Sequence, residues 1–290
     1  MENNWQENCT ICPVECGANR LSGVGACGVS GIQIAKYYLH PFEEPCISFE
    51  KGSGTIFFCG CNLRCPFCQN YEVSRATRGK ALTPKQLADI FREVEDMGAD
   101  NLSLVTPSHI VPLLAETLSI YKPAIPVVYN SGGYEKVETL KLIDNYIDIY
   151  LPDVKFYSPT LSKRYLGKEN YFDIASEAVA FMAQKPLSMT ETGKMLSGCI
   201  VRHLVMPLCT ADCKQILKWF ASALPKTTYL SLMSQYTPFG NIDEYKELSR
   251  KITAREYDAA LQTAFDLGIE NLFVQQRDSA QTKYIPSWDF

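Results

Sequence analysis

The stretch Cys59-Gly-Cys61-Asn-Leu-Arg-Cys65-Pro-Phe-Cys68 sets four thiols within ten residues, directly after the apolar run Thr55-Ile-Phe-Phe58. A cluster that dense can cross-link, pack as small hydrophobes or hold a metal. The N-terminus, MENNWQENCTI, has neither a basic n-region nor an apolar h-region. No secretory signal is therefore expected, and the expected location is cytoplasmic. In that reducing compartment, twelve cysteines point to metal binding or catalysis ahead of disulfides. The spacing Cys61-x3-Cys65-x2-Cys68 places three ligands on one tight loop. Three thiolates suit a cubane of four irons and leave one iron without a protein ligand, whereas electron-transfer clusters are ordinarily held by four. An open metal position is what a substrate-binding centre needs, just as catalytic zinc sites keep one position free.

A second set, Cys9-x2-Cys12-x3-Cys16-x10-Cys27, lies in a glycine-rich segment with no apolar periodicity. Something must order such a coreless stretch, and a metal can supply that folding free energy. Four thiolates would complete a tetrahedral zinc shell or hold an auxiliary iron–sulfur cluster, and the spacing leaves both open. Cys59, Cys46, Cys199, Cys209 and Cys213 have no ligand pattern of their own, apart from the C-x3-C of the last two near a helix start, and read as buried small hydrophobes.

The elements that must position these groups follow a βα rhythm. TIFFCG is the first strand. In TPKQLADIFREVEDMGA, Thr83 is the predicted N-cap, Pro84 the first helical residue and Gln86 the capping-box partner, and Gly98 ends the helix. Strand Asn101 to Val105, a helix from His109 to Lys122, strand VVYN and a helix over YEKVETLKLIDN come next. Strand IDIYLPDVKF leads to a long helical region from Leu161 to Gln184, and PLSMTETGKMLSGC is an excursion or hairpin. IVRHLVMP, a helix from Ala211 to Leu224, YLSLMSQY, the helix TAREYDAALQTAFDLG and a final LFVQQ complete six βα strands with a candidate seventh. Such a series builds a parallel sheet. No G-x-G-x-x-G turn is present, and polar residues sit at almost every strand's C-terminal end, which favours a barrel-like curl with its site on that rim. The expected architecture is an α/β partial (β/α)6 barrel over residues 51–290, preceded by a Cys-rich extension over 1–50.

A composition of 46% hydrophobic and 21% charged residues is that of an ordinary globular chain. No window approaches the roughly 18 apolar residues of a membrane span. The net charge of −4, with lysines and arginines scattered, leaves nucleic acid without an electrostatic footprint.

The C-x3-C-x2-C loop after the first strand of a βα series, with an aromatic before its last cysteine, resembles the radical S-adenosylmethionine (SAM) superfamily. The lines GTIFFCGCNLRCPFCQNYEVS, LVTPSHIVP, VVYNSGGYE, DIYLPDVKF, IVRHLVMP and LMSQYTP extend the resemblance over most of the chain, toward the branch similar to pyruvate formate-lyase activating enzyme. That resemblance implies a [4Fe-4S] cluster on Cys61, Cys65 and Cys68 and SAM chelated at the open iron. It also implies reductive cleavage to a 5′-deoxyadenosyl radical and hydrogen abstraction from a substrate, which in an activase is a glycyl radical enzyme. The electron donor it implies is a flavodoxin or ferredoxin.

By the same resemblance Phe67 lies near the adenine, Asp153 and Lys155 form the D-x-K of the fourth strand, and Arg202 is the basic residue of the fifth. Activating enzymes usually receive the cofactor's amino group on a G-G-E turn after the second strand, where this chain has Val105-Thr-Pro-Ser-His109. Thr106 and Ser108 are candidate replacements, followed by Asn130 and Ser131, whose other reading is a turn made by Asn-Ser-Gly-Gly. Radical modification of a small molecule, peptide or RNA base is the competing activity, and an iron–sulfur scaffold without catalysis is the third reading.

Overall fold

The computed structural model describes residues 5–75 and 78–275. In chain order the strands are β1 (Ile32–His40), β2 (Ser53–Phe58), β3 (Lys80–Leu82), β4 (Leu102–Val105), β5 (Val127–Ser131), β6 (Ile149–Pro152), β7 (Ser188–Met189), β8 (Met195–Leu204), β9 (Tyr229–Met233) and β10 (Leu272–Val274). The helices are α1 (Tyr71–Ser74), α2 (Pro84–Asp96), α3 (Val111–Ile120), α4 (Val137–Leu140), α5 (Pro159–Leu166), α6 (Tyr171–Met182), α7 (Thr210–Ala223) and α8 (Ala254–Asp266).

The sheet runs β10-β9-β8-β6-β5-β4-β2-β1-β3, with β7 pairing β8 alone. From β2 to β10 every neighbouring pair is parallel. These are the six expected strands and the seventh, in an open, mostly parallel sheet of the partial-barrel kind. Strands β2, β4, β5 and β6 are buried at every position, as parallel strands covered on both faces must be. Alternation sorts their side chains. Tyr129, Tyr150 and Val201 meet helix residues such as Phe91, Leu114, Val179 and Leu217 on the outside. Val128, Leu151 and Ile200 point to the concave side, where Cys46 and Ile47 plug the floor.

Helix α2 starts as its sequence dictates: Thr83 accepts from the Gln86 amide, the Gln86 side chain returns the bond, and Pro84 needs no donor. The region Leu161–Gln184 is two helices, because Gly167 adopts a left-handed φ of 65° and caps α5. The stretch YEKVETLKLIDN is α-helical only over α4 and ends in a short 3-10 turn at Asp144–Tyr146. The Asp144 carboxylate that follows is taken by Tyr150 Oη at 2.8 Å and Lys185 Nζ at 3.0 Å, which ties the segment to neighbouring elements in place of a longer helix.

The boundary drawn at residue 50 falls inside an antiparallel hairpin. Strand β1 pairs with β2 from Ile34↔Phe58 to His40↔Ser53, so the second half of the extension is part of the main sheet. The signal was present in Ile32-x-Ile34, both buried. No helix among the described residues is long and apolar enough to cross a membrane.

Candidate active site and metal centre

The cysteine loop leaves β2 through Gly60, whose φ of 85° lets the chain pass close to the carbonyl of Cys27. Arg64 adopts a left-handed φ of 56°, and the loop closes with the Cys68 amide donating to the Cys65 carbonyl at 3.4 Å. Asn62 Nδ2 donates to the Tyr134 carbonyl at 2.8 Å, and the Asn241 amide donates to the Pro66 carbonyl at 2.9 Å. The loop is thereby held from two distant parts of the chain. Cys61, Cys65 and Cys68 all face one cleft of about 590 Å³, and no fourth cysteine among the described residues lines it. The Leu63 amide donates to Cys61 Sγ at 3.4 Å. Burial pushes the Cys65 thiol up to about 12 and the Cys68 thiol to about 11. Unmetallated, these groups stay protonated, and a metal must displace the protons to bind.

Cys59 is directed elsewhere. Fully buried, it packs with Val29, Cys27 and Val73 and donates to the Arg78 carbonyl at 3.0 Å. Cys46, Cys199, Cys209 and Cys213 are likewise buried among apolar side chains.

The predicted strand-end residues line the same cleft, with Lys155 near enough to Cys65 to interact with its charge. Lys155 Nζ lies 2.7 Å from Asp153 Oδ2, and Arg202 Nε lies 2.8 Å from Asp153 Oδ1. Arg202 Nη2 donates to Asn130 Oδ1 at 2.5 Å. Burial alone would raise the Asp153 carboxyl, but Arg202 and Lys155 hold it below the usual range. Burial would likewise lower Lys155 and Arg202, and the Asp153 carboxylate outweighs it and raises both. All three therefore stay charged at neutral pH. The Tyr171 hydroxyl is shared between the carbonyls of Gly132 and Asp153, at 2.9 and 3.0 Å, and accepts from the Lys155 amide at 3.0 Å. A Cβ at Gly133 would collide with the Asp153 carbonyl, so this close approach of two strand ends requires glycine. Phe67 lines the cleft, 8% exposed, with edge contacts to Phe156, Tyr165 and Tyr236. Ser131 also lines it, but its hydroxyl accepts from the Gly133 amide at 3.2 Å, as the turn reading requires.

Ser108 is the one predicted cofactor-binding residue not brought to the cleft. Thr106 takes a left-handed φ of 62°, rare for a β-branched residue, and lines the cleft itself. Ser108 instead turns inward and donates to Glu135 Oε1 at 2.5 Å, a carboxylate that also accepts from Tyr129 Oη at 3.3 Å. Burial pushes the Glu135 carboxyl up to about 7 against these hydrogen bonds. Its folded pKa therefore exceeds its unfolded one, and stability falls as pH rises between the two, by on the order of 3 kcal/mol once both states are ionised. Glu135→Gln is expected to be more stable than the parent in urea titrations at pH 8 and nearly equal to it at pH 4. Equal differences at the two pH values would refute this account.

Two residues of the site were not foreseen. Glu43 and Glu44, on the β1–β2 hairpin, also line the cleft. Glu43 lies 3.5 Å from Arg202 Nη1 and accepts from Asn130 Nδ2 at 3.5 Å. Burial raises its carboxyl against the pull of Arg202, and raises Glu44 to about 7.

A family model described as the radical SAM superfamily matches residues 55–190, which carry the cysteine loop and the strand ends through Lys155. An uncharacterized protein of Methanocaldococcus jannaschii is 31% identical over 281 residues, 93% of this chain and 78% of the relative. The chain belongs to the radical SAM superfamily. Among solved structures, Streptococcus suis SuiB bound to the precursor peptide SuiA is 15% identical, with a TM-score of 0.49 over 73% of this chain and 46% of that one. The structure of anSMEcpe with bound AdoMet is 14% identical, with a TM-score of 0.47 over 72% and 57%. This radical SAM chain spans about half the length of those two solved chains.

Membership of the radical SAM superfamily implies a [4Fe-4S] cluster and SAM, and the donor set fits them: three thiols on one loop facing a cleft without a fourth. Among the described residues, no three Cys, His, Asp or Glu side chains stand close enough to share a single ion. A cluster takes its thiolates one per iron and so farther apart. The N-terminal cysteines lie outside the cleft, behind the loop.

Proposed function

We propose that this radical SAM protein reductively cleaves SAM and abstracts a hydrogen atom from a protein substrate of the glycyl radical enzyme class, as an activase. The observation that carries the reading is one cleft lined both by three thiols of one loop and by the Asp153–Lys155–Arg202–Asn130 network. When bound, the cluster and SAM supply a one-electron cleavage and a 5′-deoxyadenosyl radical. The protein's share is binding, orientation and exclusion of water. Lys155, Arg202 and Asn130 offer donors to a carboxylate, and Asp153 and Glu43 offer acceptors to an ammonium. Phe67 presents an apolar ring to a flat base. Thr106 and Asn130 stand where the G-G-E turn is missing, with Ser131 already engaged in its own turn.

A macromolecular substrate is supported by Phe42 and Val274, two exposed apolar groups that both line the cleft. A protein loop inserted between them would cover both. The proposed electron donor is a flavodoxin or ferredoxin, and the proposed location cytoplasmic.

The test is anaerobic incubation of the reconstituted, dithionite-reduced protein with SAM, alone and with candidate glycyl radical enzymes. Formation of 5′-deoxyadenosine together with a glycyl radical signal in electron paramagnetic resonance supports the reading. Deoxyadenosine without any glycyl signal would refute the activase assignment and leave the SAM chemistry standing.

A further inference from the structure

The N-terminal segment before β1 contains no helix and no strand among its described residues, yet three of its four cysteines are buried: Cys9 at 3%, Cys12 at 8% and Cys27 at 5% exposure. Backbone bonds fold the segment back on itself. The Cys9 amide donates to the Ala18 carbonyl at 3.1 Å, Gly17 to Cys9 at 3.1 Å, and Glu15 to Cys12 at 3.0 Å. A Cβ built at Gly25 would lie 3.3 Å from Cys27 Sγ and 3.6 Å from Cys16 Sγ, so these two thiols flank one point in space. Cys16 is within hydrogen-bonding reach of Cys9. Cys9, Cys16 and Cys27 thus lie together, although 18 positions separate the first from the last, and Cys12 is near enough to Cys9 and Cys27 to interact with their charge.

At the same place lies a buried cation without a counter-charge. Arg20 is 3% exposed. It donates from Nε to the Ser30 carbonyl at 3.1 Å and from Nη1 to the His109 carbonyl at 2.9 Å, and Nη1 stands 3.6 Å from Cys9 Sγ. Its Nη2 has no partner, and no carboxylate among the described residues pairs with it. A buried guanidinium without an anion is strongly unfavourable. Neutral thiols do not supply that anion, whereas four metal-bound thiolates carry a net negative charge, whether on zinc or on a cluster.

We propose that Cys9, Cys12, Cys16 and Cys27 hold a second, thiolate-bound metal centre of zinc or iron–sulfur type, with Arg20 as its counter-charge. The centre lies against the cysteine loop from outside the cleft. The Cys61 amide donates to the Cys27 carbonyl at 3.2 Å, and His109, which accepts from Arg20, donates from Nε2 to the Cys59 carbonyl at 2.8 Å. The centre therefore holds the loop in place from behind.

The experiment uses the full chain purified anaerobically with Cys61, Cys65 and Cys68 all changed to alanine, so that its outcome is independent of radical chemistry. Zinc, iron and acid-labile sulfide are counted per chain. The proposal expects about one zinc without sulfide, or about four irons with matching sulfide, and a loss of at least tenfold when Cys12→Ser and Cys27→Ser are added. The sulfide assay separates the two metals. A folded triple variant free of metal, metal that survives the serine changes, or N-terminal cysteines found as disulfides by mass spectrometry would each overturn it. Should the serine pair prevent folding, the exposed Cys16→Ser alone should release metal to a chelator faster than its parent, and an unchanged release rate would overturn the proposal as well.

Discussion

Protein carrying Cys65→Ala is expected to form no detectable 5′-deoxyadenosine, while Cys59→Ala retains it. The two positions differ by six residues, and both thiols are buried, so burial cannot distinguish them. Direction does. Cys65 faces the cleft with Cys61 and Cys68, whereas Cys59 donates to the Arg78 carbonyl within an apolar cluster. Removing Cys65 leaves two thiols on the loop, too few to retain a cluster that takes three. Removing the Cys59 sulfur deletes a small buried group and one weak hydrogen bond, a loss of about 1–2 kcal/mol in stability with the ligand set intact. The measurements are deoxyadenosine by chromatography and the reduced cluster's paramagnetic signal. Equal losses in the two variants, or turnover surviving in Cys65→Ala, would remove the loop from its assigned role.

The second large effect is at Asp153. Asp153→Asn preserves shape but strips the shared anion from between Lys155 and Arg202, at 2.7 and 2.8 Å. Breaking a buried ion pair costs about 3–5 kcal/mol. Asp153 and Lys155 are each 20% exposed and Arg202 is 15% exposed, so the loss belongs at about 3 kcal/mol, roughly 5 °C in Tm for a chain of this length. Cofactor cleavage should fall about 10- to 100-fold, the scale at which orienting partners act. The added change Lys155→Met should restore part of the stability without restoring activity. If Lys155→Met deepens the loss, uncompensated charge is not its cause. The pH dependence has a defined sign. The folded carboxyl titrates below the unfolded one, so its contribution is complete above about pH 5 and disappears as pH falls through the folded value. Asp153→Asn should flatten that acid limb.

The site was most legible where it depends on local chemistry and period. The C-x3-C-x2-C loop needed only spacing, and the Thr83 cap only its own four residues. Asn130, Asp153, Lys155 and Arg202 converge because parallel strands deliver their C-terminal ends to one rim. Turn geometry was not legible. The left-handed backbone at Thr106 decides which side chain after β4 enters the cleft, and a shift of that kind sends Ser108 to Glu135. Glu43 was invisible for a different reason: its partner Arg202 lies 159 positions away, and no local pattern marks a carboxylate on a hairpin as part of a distant rim. The break at Gly167 was readable, since a glycine inside an amphipathic stretch is a common stop. The length of the apolar pattern obscured it.

Strand β2 is occupied on both edges, by β4 on one side and by the antiparallel β1 on the other. The first βα strand is thus unavailable to any later strand, and among the described residues closing the sheet would require β3 to meet β10, each three residues long. The extension acts as a topological stopper, fixing the curl at less than a full circle. An enzyme built this way leaves one wall of its reaction chamber to be supplied from outside the sheet. If the substrate supplies it, docking and shielding become one event, and unproductive cofactor cleavage becomes a measure of how well a trial partner fits.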